Sequence, residues 1–207
     1  LEPALMPPQK PQPLPTPRCH LLIGPPASGK TSLAAALLPL LTLPDQPAPV
    51  LLSSDEQLLE PLRQAIATGQ QVIVEASHTS RPQRLAVIQA LPLPAPVEWI
   101  GWWLTTPLAT CHRWNGSRGR QAVPEQAVAD AHRDLHGSKV FRPSRQEGFA
   151  SLVAIDPSSH TPPELDQLLR AKLAGLSTSM AQARKRAPRQ NRLHSYSRML
   201  EFERLMH

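Results

Sequence analysis

The sequence predicts an α/β domain, a doubly wound, mostly parallel five-stranded sheet with helices on both faces. Three observations predict it. From Arg18 to about Gly175, apolar runs alternate with helix-like segments. The runs are continuously apolar instead of alternating, as expected of strands covered on both faces. The first run also feeds a glycine loop, Gly24 to Thr31, that opens directly into a helix-forming stretch.

The elements follow in order. Residues 1–17 contain Pro3, Pro7, Pro8, Pro11, Pro13, Pro15 and Pro17, which removes helix and ladder donors, so this leader is expected to be disordered. Cys19-His20-Leu21-Leu22-Ile23 reads as a buried strand, and 30–41 as the helix after the loop. A proline-bearing link, Pro44 to Pro49, leads to a strand over 50–53 and a helix over 55–68, for which Asp55 suits the N-cap. A strand over 71–75 and a helix over 80–91 come next, then a second link, Pro92 to Pro96. The strand 97–104 carries Trp99, Trp102 and Trp103, read as core, and neighbours Trp102 and Trp103 must face opposite sides of the sheet. Helices are expected over 107–115 and 124–136, the second opened by Pro124, with Asp130, Asp134 and His136 on its solvated face. A last strand, 151–155, precedes a helix over 162–173. Thr161-Pro162-Pro163-Glu164 gives that helix a cap, a proline at its first position and an acid at N3.

Composition bounds the rest. No apolar run approaches the ~20 residues of a membrane span, and no charged-then-apolar signal segment is seen, so a cytoplasmic protein is expected. Cys19 and Cys111 have no metal-ligand spacing and read as reduced, buried thiols. The net charge of +6 is concentrated in residues 176–207, where Arg184, Lys185, Arg186, Arg189, Arg192, Arg198 and Arg204 face only Glu201 and Glu203. That segment reads as a basic tail. Met199, Phe202, Leu205 and Met206 give it a short amphipathic helix that an RNA or protein partner could engage.

The chemistry begins at Gly24-Pro25-Pro26-Ala27-Ser28-Gly29-Lys30-Thr31, which satisfies G-x-x-x-x-G-K-[ST] in full. A strand feeding such a loop into a helix surrounds a phosphate with backbone N–H groups and the positive end of the helix dipole. Lys30 is expected to reach the β- and γ-phosphates and the Thr31 hydroxyl to hold Mg²⁺, with Ser32 continuing the cradle. The bare pattern arises by chance in roughly one chain in a hundred of this length, given ~7% glycine usage. Ligands in open α/β sheets bind at the carboxyl ends of the strands. There Asp55 follows the second strand and Glu75 ends the third. Phosphoryl transfer needs one carboxylate near the metal and one near the attacking hydroxyl, so Asp55 is the candidate for the base, and Glu75 is a candidate outer-sphere ligand of Mg²⁺ or a group that orients the loop after it. His78 reads as a polar loop residue. Arg113, Arg118 and Arg120 lie in a glycine-bearing stretch, Cys111 to Pro124, whose residues 113–123 read as a lid over the phosphates, since guanidinium forks match phosphate oxygens.

These residues resemble the P-loop kinases of the polynucleotide 5′-hydroxyl kinase and zeta-toxin type, over about 18–156. The resemblance rests on Gly24 to Ser32, Ser53-Ser54-Asp55, Val72 to His78, Asn115 to Pro124, and Glu147-Gly148-Phe149. It implies that Asp55 accepts the acceptor's proton and Arg118 contacts the ATP phosphates. The chain departs from the family at Glu75-Ala76-Ser77-His78, where Asp then Ala-Thr-Asn is usual. It also departs at Leu58, where members acting on nucleic-acid ends carry Arg, and at Trp114, where a basic residue is usual. The expectation is an ATP-dependent kinase with a hydroxyl acceptor, small molecule or nucleic-acid end. The alternatives are a nucleotide-hydrolysing switch, and an RNA-binding or scaffold protein with a vestigial loop.

Overall fold

The computed structural model describes residues 16–53, 57–75, 79–90, 97–137 and 141–186, with side chains to 177. The expected leader, Asp55, His78 and the amphipathic segment near the C-terminus lie outside the described residues, except for the last two residues of the leader.

The strands are β1 (Arg18–Ile23), β2 (Val50–Leu52), β3 (Val72–Glu75), β4 (Glu98–Leu104) and β5 (Phe149–Ile155). They form one sheet in the order β2-β3-β1-β4-β5, with every pairing parallel. The helices are α1 (Lys30–Leu41), α2 (Leu59–Ala67), α3 (Arg81–Ile88), α4 (Leu108–Gly116), α5 (Glu125–Gly137) and α6 (Pro162–Arg186). The expected α/β fold is the observed one.

β1 lies at the centre, and its alternation divides the core. Cys19, Leu21 and Ile23 join Leu62 and Ala65 of α2, Val87 of α3, Leu135 of α5, and Val72, Val74, Trp99 and Phe149 of the neighbouring strands. His20 and Leu22 turn to the other face. Leu33, Ala34 and Leu37 of α1 are buried apart from the first cluster. Trp99 and Trp102 are core residues, while Trp103 packs half-buried against the first cluster. Burial raises the Cys19 thiol to about 12 and the Cys111 thiol to about 11, so both stay protonated and inert.

Three sequence expectations need correction. The helix expected from 55 begins at Leu59, and its N-cap is Leu58 with no side-chain cap. Pro61 explains the late start: proline lacks an N–H and is tolerated only in the first turn. α6 runs to Arg186, well past 173 and past Gly175. One glycine among Ala, Leu, Lys and Gln costs about 1 kcal/mol and does not stop a helix. His136 is not on a solvated face: its ring stacks on Trp103 at 5.2 Å and meets His132 at 4.3 Å. Asp130 and Asp134 are half-exposed, each near Arg133.

The predicted start of α6 holds. The Glu164 carboxylate accepts the Thr161 N–H at 2.8 Å. The chain divides into two compact units between Leu165 and Asp166, within this helix. In the second unit Arg170 donates to Asp166 at 2.8 Å, one turn apart. Among the described residues, no helix is long and apolar enough to cross a membrane.

Candidate nucleotide site

The site forms where β1 turns into α1. Gly24 follows Ile23 at the end of the strand. A Cβ at Gly24 would collide with the Ser28 hydroxyl, so glycine is required by close approach. Ala27 takes φ 57° and Gly29 φ 98°, on either side of Ser28. Alternation of handedness of this kind turns successive N–H groups toward one centre and makes an anion nest. A Cβ at Gly29 would come within 3.2 Å of the Trp114 ring and 3.4 Å of Pro157. Trp114, the departure from the expected basic residue, is thus seated against the loop.

α1 opens without a side-chain cap and without an acid in its first turn. Its first N–H groups therefore take no cap from a side chain at the helix's own N-cap position. The Lys30 ammonium donates to the Gly24 and Pro25 carbonyls at 2.8 and 2.9 Å, which holds it at the loop. The Ser28 hydroxyl is buried with no hydrogen-bond partner among the described residues. An orphaned buried hydroxyl, an uncapped helix start and a lysine fit a bound polyphosphate.

Sheet register brings in the carboxylate. Glu75 pairs with Leu22, two residues before Gly24. From there its Oε1 accepts the Thr31 hydroxyl. The two oxygens make a hard donor set of the kind Mg²⁺ takes when phosphates supply the remaining ligands. Leu52 pairs with Val74, so Ser53 comes level with Glu75 on the same rim.

A cleft of about 650 Å³ gathers these groups. Ala27 to Ser32 line its floor with Gly24 and Pro26, while Ser53, Glu75 and Thr79 come from the β2 and β3 rim. Trp114, Arg118, Val123, Ala127 and Ala131 complete its lining. Of the three lid arginines only Arg118 lines the cleft. Arg113 and Arg120 are exposed and do not line it. Pro25, expected in the cradle, contributes its carbonyl to Lys30 and is not among the lining residues.

The loop bearing Arg118 is clasped at its base. Buried Asn115 donates from Nδ2 to the Val123 carbonyl at 2.7 Å and accepts the Val123 N–H at 3.0 Å. A short 3₁₀ turn, Gly119–Gln121, lies between. Behind the β3 rim, fully buried Arg84 holds Glu147 through two bonds of 2.7 Å. It also donates to the Thr79 carbonyl at 3.1 Å and the Phe141 carbonyl at 2.9 Å. Arg84 thereby fixes Thr79, which lines the cleft. Sequence reasoning did not assign Arg84 a role; the Glu147-Gly148-Phe149 signature was the only available pointer.

No protein-family model and no curated protein matches the sequence. Solved structures match in fold. A gluconokinase from Sinorhizobium meliloti 1021 superposes with a TM-score of 0.53 at 14% identity, covering 84% of this chain and 99% of its own. Chaetomium thermophilum Kti12 in complex with ADP-AlF3 gives 0.50 at 12%, covering 76% and 98%. The Deinococcus radiodurans tunicamycin resistance protein gives 0.50 at 16%, covering 77% and 96%. Identities this low establish the fold alone. The chain therefore has the fold of these structures, an all-parallel five-stranded α/β sheet of the P-loop kinase type.

Proposed function

We propose that the protein is an ATP-dependent kinase that moves the γ-phosphoryl group of ATP to a hydroxyl acceptor, a small molecule or a nucleic-acid end. The observation that supports it best is the uncapped start of α1, open to a cleft that also holds the Thr31–Glu75 pair and Arg118.

In this reading the N–H groups of Ala27 to Ser32 receive the β-phosphate. Lys30 exchanges its bonds to Gly24 and Pro25 for β- and γ-phosphate oxygens. Thr31 and Glu75 would hold Mg²⁺, which neutralises charge across the same oxygens when bound. Arg118 stabilises charge on the transferring group, with the exposed Arg113 and Arg120 adding positive potential nearby. Asp55 takes the proton of the acceptor hydroxyl. Leu58 cannot bind an acceptor phosphate as Arg would, which favours a small hydroxyl acceptor over a nucleic-acid end. The basic tail is left to a further partner, RNA or protein. The two free thiols support a reducing, cytoplasmic setting.

The test is a γ-labelled ATP transfer assay across 5′-hydroxyl RNA and DNA, nucleosides, sugars and small alcohols. Label should pass to one acceptor class, fall about a hundredfold or more in Asp55→Asn, and vanish in Lys30→Ala together with nucleotide affinity. ADP release into water alone, indifferent to every acceptor, would replace this reading with a hydrolysing switch. Undiminished ATP binding by Lys30→Ala would refute the loop as the phosphate site.

A further inference from the structure

We propose that Thr106 is a positioning residue for the phosphate loop: its hydroxyl holds the Ser28 carbonyl away from the cleft and so aims the Gly29 N–H into it. The proposal rests on the nucleotide reading of the cleft.

Thr106 lies in the turn between β4 and α4, at 0% exposure. Its Oγ1 donates to the Ser28 carbonyl at 2.7 Å, across 78 residues of chain. Thr106 does not line the cleft, whereas Ser28 and Gly29 both do, so the hydroxyl grips the loop from behind. The C=O and N–H of one trans peptide point in opposite directions in a single plane. Fixing the Ser28 carbonyl rearward therefore fixes the Gly29 N–H forward, toward the space where the anion nest converges.

This peptide plane is the one that most needs fixing. A plane flips by joint rotation about ψ of the residue before it and φ of the residue after it. Gly29 follows it, and glycine crosses between φ regions at little cost. The same freedom that lets Gly29 adopt φ 98° would let the plane turn over. A flipped plane presents a carbonyl oxygen to the anion and takes away one donor. Among the described residues only Thr106 is seen to bond the Ser28 carbonyl.

Thr106 is itself held. Its carbonyl accepts from His132 Nε2 at 3.2 Å and lies 3.7 Å from the Cys111 thiol. His132 belongs to α5, the helix whose Ala127 and Ala131 wall the cleft. One buried threonine thus ties the phosphate loop to the helix that follows the lid.

The experiment measures ADP and AMP binding by calorimetry for the wild type, Thr106→Val, Thr106→Ala and Thr106→Ser. Melting temperatures are recorded without nucleotide. The loop grips the β-phosphate, which AMP lacks. Thr106→Val and Thr106→Ala should weaken ADP roughly fivefold to tenfold, the scale of one lost hydrogen bond. They should leave AMP within about twofold, and Thr106→Ser should restore ADP affinity because it keeps the donor. A merely structural role would lower both affinities together. Equal losses for ADP and AMP, or no loss at all, would overturn the proposal. Thr106→Ala serves should the valine variant not fold. A wild type that binds no nucleotide refutes the reading of the cleft and the pin with it. A wild type that binds ADP no better than Thr106→Val refutes the pin alone.

Discussion

Acidification should destabilise the fold through one buried imidazole, His20, at the centre of the sheet. His20 is fully buried. Its Nδ1 accepts the Trp102 indole N–H at 3.1 Å, and its Nε2 faces Gln71 Oε1 at 3.2 Å. One neutral tautomer satisfies both contacts, with the proton on Nε2. An imidazolium would carry a second N–H on Nδ1, aimed at an indole N–H that cannot accept it. Burial accordingly lowers the His20 pKa from 6.5 to about 4, against a smaller opposing pull from the Gln71 hydrogen bond. The sign follows directly. Between those values the unfolded chain binds more protons than the folded one, so stability rises with pH there. The contribution is fully present above the unfolded pKa and is lost as pH falls toward the folded one. A pKa unit is worth about 1.4 kcal/mol, so the full loss is on the order of 3 kcal/mol, of which about 2 kcal/mol falls between pH ~7 and pH ~4.5. Urea unfolding at those two pH values measures it, for the wild type and for His20→Gln, which keeps a neutral acceptor for Trp102. The variant should lose about 2 kcal/mol less than the wild type on acidification. The comparison matters because burial also lowers His132 and His136, whose loss both proteins share. If the two proteins lose stability equally, His20 is not the titrating group and the reasoning fails.

Two further outcomes follow from the supports of the site. Asn115→Ala removes both bonds of the lid clasp and strands the Val123 N–H, at a cost of about 1–3 kcal/mol confined to the lid. Limited trypsin digestion should cut after Arg118 or Arg120 many times faster than in the wild type, and an unchanged rate would mean the clasp does not hold the loop. Arg84→Met leaves the Glu147 carboxylate buried without its fork and should cost about 3–5 kcal/mol, a fall on the order of 10 °C in Tm. Replacing both residues with methionine should recover much of that loss in a thermal melt, and a double variant no more stable than the single one would contradict it.

Local physics was legible before any coordinates. Glycine and lysine spacing identified the phosphate loop, because that motif works through backbone geometry within a few consecutive residues. α1 was readable as 30–41, and the Thr161–Glu164 start of α6 was readable too, because capping is also local. Pro61 marks the start of α2, because a proline is tolerated only in the first turn of a helix. Residue types in the lid announced a basic segment, but not that Arg118 alone of its three arginines would line the cleft.

The remaining features join residues far apart in the chain. His20 meets Trp102 across 82 residues, Thr106 meets Ser28 across 78, and Arg84 meets Glu147 across 63. Their neighbourhood follows from strand order, with β1 set between β3 and β4, and from registers that stand Leu22 beside both Glu75 and Trp102. Spacing along a helix or loop is a property of one segment, so the amino-acid sequence alone could determine where a phosphate would be gripped. Which groups stand behind that grip depends on how separate segments pair, and only the packed sheet decided it.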